Sequence, residues 1–451
     1  METFDVIVIG SGPGGYIAAQ KAGELGKKVL LVEKGELGGV CTNVGCIPTK
    51  SLLNSAKLYK GALDSEKFGV KATNVEYDLA AAMAHKNDTI ETLKKGIAFL
   101  MKNAKVEVVQ GAAHFIDETQ IEVEGKRYGA KNFIIATGSS PQQVPISGSD
   151  LPHVLTSNEI LAIDKLPSSL AIVGGGVIGI EFASYFSAVG VKVTVFEMMD
   201  EVLPMMDPEF AKLIRREMRG VDFFVSAKVT SITADSVVFT DAKGNEKTVA
   251  AEMVLMSVGR KPNTEGLEAL KLQMDRSAVA VDENLRTSIP HIYAIGDVNG
   301  KSLLAHSASR MAEVVIANLY TDKSQKMRYH AIPWALYSSP EAAGCGLTEL
   351  QAAKEGRPVI SATAQMRPNG RFLAEQGKRA SGLCKVVADA KTRAILGVHL
   401  LGPYSSEIIY GAAAMIEAEL RIEDVKEIVF PHPSIAEIIK DTLFALEQTQ
   451  S

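Results

Sequence analysis

A chain of 451 residues is too long for one ordinary hydrophobic core, and about two to four domains are expected. Its 46% apolar and 22% charged residues describe a well-packed globular protein, not a disordered one. A net charge of −5 supplies no broad basic field, which argues against nucleic acid or an anionic membrane as partner, and four cysteines make no secreted disulfide framework.

The chain opens on a strand-like run, Phe4 to Ile9, with no basic region, apolar signal core or cleavage site before it, so the expected location is cytoplasmic. No apolar run approaches the roughly 20 residues needed to span a bilayer. The strand enters a glycine turn, Gly10, Gly12, Gly14 and Gly15, and a helix and a second strand ending at Glu33 follow. The first glycine of such a G-x-G-x-x-G turn permits the tight bend. The second lets backbone approach a pyrophosphate, the third lets helix and strand pack closely, and the helix N-terminus offers free N–H groups. The terminal carboxylate accepts hydrogen bonds from ribose hydroxyls.

Immediately afterwards come Cys41 and Cys46, with Gly45 between them and Pro48, Thr49 and Lys50 beyond. Five residues apart in an ideal helix, the two Cα atoms would be separated by about 7.5 Å along the axis, outside the usual disulfide range. A bridge therefore needs a distorted turn, and Gly45 gives the backbone that freedom. Placement so soon after the first βαβ unit puts the pair across a bound nucleotide, where a redox role is expected. Two buried thiols or half of a zinc site are the alternatives, but no second Cys or Cys/His cluster completes a metal set, and no metal site is expected.

Leu58 to Met101 carries helical patterning, Val106 to Val123 reads as short strands with turns, and Phe133 to Gly138 as a strand ending in a turn. The opening then recurs at a fixed offset of 164 residues: Gly174, Gly176, Gly179, Gly190 and Glu197 answer to Gly10, Gly12, Gly15, Gly26 and Glu33. Two copies imply two dinucleotides. Glu197 repels a 2′-phosphate, and Met198 to Glu201 supply no cation, so the second site is expected to take NAD and not NADP. Val229 to Thr248 reads as strands and turns, as do Met253 to Arg260 and Ile292 to Asp297. The stretch from Tyr329 onward is α+β, with strands at Cys384 to Val387 and Ile395 to Leu401 and helices at Glu407 to Glu419 and Pro433 to Leu446.

The expected fold is α/β: two Rossmann-like dinucleotide-binding domains with a C-terminal α+β domain. The expected boundaries are 1–140 for the first domain with the cysteine pair, 141–263 for the second, 264–328 for a central segment and 329–451 for the last domain. Trp334 and the Met198 to Met206 stretch are expected in core or interface packing, and Cys345 and Cys384 as inert buried thiols.

The run Gly39 to Lys50, the two glycine turns, Val258 to Asn263, Tyr293 to Asp297 and His432 to Glu437 together resemble the class I pyridine nucleotide:disulfide oxidoreductases, and within them the dihydrolipoamide dehydrogenase branch. The resemblance spans nearly the whole chain and implies an FAD-binding domain at 1–140 with the redox pair, an NAD-binding domain at 141–263, a central segment at 264–328 completing the FAD site, and a dimerisation domain at 329–451. It implies that Cys41 exchanges with substrate and Cys46 faces the flavin, with Lys50 beside the flavin ring and paired with Glu181. It assigns Gly39, Thr137, Gly138, Asp297 and Ala305 to FAD, puts Gly111 and Ala113 near its adenine, and places Val229, Gly259 and Arg260 at the NAD site. His432 becomes the base that deprotonates substrate thiol, oriented by Glu437 and reaching the cysteines of the other subunit of a homodimer. Read alone, His432 is an ordinary surface or helix-start histidine, with Pro433 suited to the first turn of the helix that carries Glu437.

What the resemblance further implies is a tightly bound FAD in each subunit, NAD as acceptor, dihydrolipoamide or a lipoyl domain as substrate, and a place in a 2-oxo acid dehydrogenase or glycine-cleavage complex. Phe430-Pro431 stand where many members carry His-Ala, and Ala113 where glycine is more usual. The rival readings are a glutathione-reductase-like or mercuric-reductase-like enzyme and a catalytically silent docking subunit.

Overall fold

In the computed structural model, which describes residues 2–448, the continuous apolar runs become parallel strands covered on both faces. Glu2–Ile9 lies at the centre of a seven-stranded sheet, parallel to Val29–Glu33 on one side and Lys126–Ile135 on the other. Glu107–Gln110 extends the sheet beyond Val29–Glu33, and Ile292–Ala294 joins alongside Lys126–Ile135, both parallel. Gln120–Val123 and Ala113–Asp117 add an antiparallel edge. Helices Pro13–Glu24 and Ala305–Tyr320 pack against one another, their small residues Ala18, Ala22 and Ala312 fully buried. Strand order reverses at Glu2–Ile9, so the crevice for a ligand opens at that strand's C-terminal end, where the first glycine turn sits.

The duplicate builds the same arrangement. Ser169–Val173 is central, flanked in parallel by Lys192–Phe196 and Met253–Met256, with Val221–Phe224 and Val154–Leu155 outside them. The glycine-motif helices Pro13–Glu24 and Val177–Ala188 occupy identical positions in the 164-residue repeat. A three-stranded antiparallel sheet, Lys228–Ile232, Ser236–Thr240 and Glu246–Ala250, caps this unit. The chain passes between the two units twice, and the two passages, Ser139–Pro141 and Arg260–Pro262, pair antiparallel with each other.

The last section forms a five-stranded antiparallel sheet in the order Trp334–Leu336, Ala342–Gly346, Ile395–Leu401, Leu383–Asp389, Val359–Gln365, with helices Ser405–Glu417 and Glu437–Gln448 packed on it. One apolar cluster links all three parts: Leu52 and Ala56, Ile180 and Phe182, Leu336 and Leu401 belong to it.

Two expectations need correction. The helical patterning of Leu58 to Met101 is interrupted: helix Cys46–Leu63 ends, residues 64–78 hold a 3₁₀ turn and coil with Gly69 and Asn74 at positive φ, and Leu79–Asn103 restarts where the Asp78 side chain accepts from the Ala81 N–H. Pro433 lies outside the last helix, which begins at Glu437; a bend at 432–433 and a turn at 435–436 intervene, and the His432–Pro433 bond is cis. The methionine stretch is split, because Met206 is buried but Met198, Met199 and Met205 are exposed in this chain. Trp334 packs partly buried against the core, and Cys345 and Cys384 are fully buried, as expected.

Candidate active site

Both glycine turns are shaped by contact and by vacancy. Gly10 and Gly174 have φ of +96° and +109°, and a Cβ at either would stand 2.3 and 2.4 Å from the carbonyl oxygens of Ala136 and Ser257. At Gly15 and Gly179 a Cβ would stand 1.8 and 2.1 Å from the carbonyl oxygens of Gly10 and Gly174. At Gly12 and Gly176 nothing lies within 4 Å. The middle glycine of each turn thus faces open space before an uncapped helix N-terminus, the cradle that a pyrophosphate requires.

The two acids are held alike. Glu33 is buried and accepts from the Ser11 N–H at 2.7 Å, the Ser11 hydroxyl at 2.6 Å and the Gly35 N–H at 2.7 Å. Glu197 accepts from the Gly175 N–H at 2.7 Å and the Met199 N–H at 2.8 Å. Each carboxylate is fixed at the strand end beside its glycine turn, where ribose hydroxyls would lie. The residues present therefore fit two dinucleotides.

Several further residues gather around the first turn. Gly111 follows a strand end and donates to the Glu33 carbonyl at 2.9 Å, placing it beside that acid; Ala113 begins the antiparallel edge. The side chain of Gly14's near neighbour Ala308 lies on helix Ala305–Tyr320, whose N-terminus at Ala305 has no side-chain cap. Thr137 and Gly138 are bound to Asn263: the Thr137 hydroxyl donates to its carbonyl at 2.6 Å, and the Asn263 N–H donates to the Gly138 carbonyl at 2.9 Å. Asp297 accepts from the Ser139 hydroxyl at 2.5 Å and lies 3.9 Å from Arg260, whose guanidinium also donates to Ser139. Arg260 is thereby anchored at the junction between the units, and burial there pulls its pKa down. Gly259 is at φ +114°, and the side chain of Val229 is buried in the core, leaving backbone for any nucleotide contact.

The cysteine segment lies directly over the first turn: a Cβ on Gly39 would stand 2.7 Å from the Gly12 Cα. Helix Gly39–Val44 carries Cys41, Gly45 breaks it at φ −144°, ψ −110°, and helix Cys46–Leu63 begins on Cys46. The distortion anticipated at Gly45 is therefore a break between two helices. The sulfurs are unbonded, partly buried and hydrogen-bonded to each other. The bond from Cys41, assisted by the Lys50 charge, lowers the Cys46 pKa, while the same bond and burial push the Cys41 thiol up. Negative charge in the reduced pair is thus concentrated on Cys46.

One helical turn beyond Cys46, the Lys50 ammonium donates to Glu181 at 2.8 Å. Glu181 is buried on the second glycine-motif helix and also accepts from the Tyr337 N–H at 3.1 Å, and the Lys50 ammonium lies 4.7 Å from the centre of the Tyr337 ring. The pair thus joins the redox helix, the second unit and the C-terminal section. Tyr337, Ser139 and Ser11 were not singled out from sequence. Nor was Tyr16, whose phenol is pushed up by burial and by the neighbouring Cys41.

His432 stands apart, exposed, with its Nδ1 2.9 Å from Glu437 Oε1. The Ser434 N–H and His432 together lower the Glu437 pKa, which keeps the carboxylate charged. Among the described residues no group of three or more His, Cys, Asp or Glu is placed to hold a metal ion, and no helix is long and apolar enough to cross a membrane.

Fold and site together define an oxidoreductase built on two dinucleotide seats and a dithiol. The chain belongs to the pyridine nucleotide-disulphide oxidoreductase family: residues 4–312 match that family's model, and residues 332–443 match its dimerisation domain. FAD and NAD are its cofactors. It is similar to the dihydrolipoyl dehydrogenase of Geobacillus stearothermophilus, 39% identical over 446 residues covering 96% of this chain and 94% of that one. The Bacillus subtilis dihydrolipoyl dehydrogenase is 37% identical, covering 96% and 94%. Among solved structures, the HOCl-induced flavoprotein disulfide reductase RclA from Escherichia coli, as its Cu(II) complex, superimposes with a TM-score of 0.88 at 28% identity, covering 99% of this chain and all of that one.

Proposed function

We propose that this protein is a dihydrolipoyl dehydrogenase, a homodimer that oxidises dihydrolipoamide and reduces NAD+. What supports this most directly is the Cys41/Cys46 pair, poised across the Gly45 break with its charge on Cys46 and its segment seated on the first glycine turn.

The cycle starts from the oxidised pair. His432, steadied by Glu437, takes the proton of one substrate thiol, and the thiolate attacks the sulfur of Cys41. A mixed disulfide forms and Cys46 leaves as a thiolate, stabilised by the Cys41 hydrogen bond and the Lys50 charge. The second substrate thiol attacks its own partner sulfur, His432 passing its first proton to the departing Cys41 and taking the second thiol's proton, so lipoamide departs oxidised and Cys41 is released as a thiol. Bound FAD and NAD supply the remaining redox chemistry, carrying the electron pair from the dithiol to the nicotinamide.

His432 points to solvent in a single chain, so it serves the cysteines of a second subunit, and the dimer is the working unit. The segments 1–140 and 264–328 form the FAD domain, 141–263 the NAD domain and 329–451 the interface. Gly10, Gly12, Gly14, Gly15, Glu33, Gly39, Gly111, Ala113, Thr137, Gly138, Asp297 and Ala305 serve FAD. Gly174, Gly176, Gly179, Glu197, Val229, Gly259 and Arg260 serve NAD. The expected location is the cytoplasm, and the expected partner is the lipoyl domain of a 2-oxo acid dehydrogenase or glycine-cleavage complex.

Cys46→Ser tests the reading. Dihydrolipoamide-dependent NAD+ reduction should fall at least about a thousandfold while the purified protein keeps its flavin absorbance. Full retained turnover, or equal wild-type activity with glutathione disulfide and NADPH, overturns it.

A further inference from the structure

The segment that carries His432, from Ile428 to Ala436, is irregular backbone, and His432 itself is exposed. A base that must meet a thiol across a subunit boundary needs its backbone held, because Glu437 orients only the ring. Following the hydrogen bonds of this segment outward leads to one side chain distant in sequence.

Asn369 lies 63 positions before His432 and is 7% exposed. Its side-chain oxygen accepts from the Phe372 N–H at 3.0 Å, capping helix Gly370–Gln376, and its amide nitrogen donates to the Ser434 carbonyl at 2.8 Å. Two opposed partners, one donor and one acceptor, fix which end of the amide faces which. Phe372 is fully buried in the same apolar cluster as Ile435 and Ile438, so the cap stands on an immobile support. Ser434 is held from its other side as well, since its N–H donates at 2.9 Å to Glu437 Oε2, the second oxygen of the carboxylate that binds His432. At the start of the segment, the Lys440 ammonium donates to the Ile428 carbonyl at 2.8 Å.

We propose that Asn369 is a positioning residue for the base of the reaction: by holding the Ser434 carbonyl it sets the backbone from which His432 reaches the cysteines of the second subunit. The inference rests on the proposed dihydrolipoamide chemistry. Helix capping alone would need only the oxygen of Asn369. The amide nitrogen adds the link to Ser434, and only an asparagine-like side chain supplies both.

Asn369→Asp separates the two roles, because aspartate keeps the capping oxygen and loses the donor, setting a carboxylate oxygen against the Ser434 carbonyl. With the full-length, FAD-loaded protein, kcat/KM for dihydrolipoamide should fall about ten- to a hundredfold, mainly in kcat. NADH oxidation by ferricyanide, which uses no thiol base, should stay within about twofold on the same preparation. A loss of stability would lower both. Should N369D fail to yield flavin-loaded protein, Asn369→Ser keeps an oxygen cap, is too short to reach Ser434, and should give the same split. Unchanged dihydrolipoamide kinetics in either variant, or equal loss of both activities, overturns the assignment. His432→Gln is measured in parallel: if it leaves dihydrolipoamide turnover intact, the reaction reading fails and this inference falls with it. Lost turnover in H432Q with unchanged kinetics in N369D overturns the inference alone.

Discussion

The two glycine-turn units share their backbone, their helices and the way each carboxylate is anchored, yet they differ in what covers the turn. Over the first, Gly39 lies against Gly12 and brings the cysteine helix with it, and Glu33 is buried. Over the second, the Leu203 N–H donates to the Gly175 carbonyl at 3.0 Å, much as the Gly38 N–H donates to the Ser11 carbonyl at 3.1 Å, but that segment carries no cysteine, and Glu197 is only partly buried and is followed by the exposed Met198 and Met199. The same seat, roofed by the cysteine helix over a buried acid in one copy and with its acid left partly open in the other, suits a resident cofactor in the first and an exchanging one in the second.

The comparison breaks most sharply at the third glycines. Gly15→Ala drives a methyl into the Gly10 carbonyl beneath the roofed seat, and the variant should purify without flavin and without activity. Gly179→Ala makes the equivalent clash in the open seat and should keep its flavin absorbance while losing at least about a hundredfold in kcat/KM for NAD+, read by steady-state kinetics. Flavin loss in both, or in neither, would show that the seats are not distinguished in this way.

A milder test uses the open seat's acid. Glu197→Ala removes the acceptor for ribose hydroxyls and the repulsion of a 2′-phosphate, so KM for NAD+ should rise about tenfold and the preference over NADP+ should narrow. An unaltered preference would mean discrimination lies elsewhere.

The smallest effect concerns the dithiol between the seats. The Cys41 hydrogen bond first, and the Lys50 charge after it, lower the Cys46 pKa below that of an ordinary thiol. Lys50→Met removes a cation that favours the thiolate, so the midpoint must move up in pH, by about one unit. Ultraviolet thiolate absorbance of the reduced protein against pH reads this directly, and a midpoint that stays or falls contradicts the assigned charge.

Much of this was legible in the sequence because it is local. Glycine spacing, apolar runs and the Gly45 interruption each act within one element, and the repeat doubled the signal. The unread parts depend on contacts between distant segments. Ser139 acquires meaning only when Arg260 and Asp297 arrive beside it, Tyr337 when its N–H meets Glu181, and Asn369 when it meets Ser434. Strands Trp334–Leu336 and Ala342–Gly346 were missed because alanine and glycine hide the two-residue alternation. The break after Leu63 was missed because helical periodicity persists across residues whose backbone turns away at Gly69 and Asn74.

The paired passages Ser139–Pro141 and Arg260–Pro262 bear on how the chain is made. Ser140 and Lys261 are cross-strand neighbours, so the intervening unit leaves and returns at one place, like a loop grown to the size of a domain. The first sheet must wait for that excursion, because Ile292–Ala294 takes its position only after the second unit has been synthesised. During translation every strand of the second parallel sheet is therefore made before the first sheet can be completed.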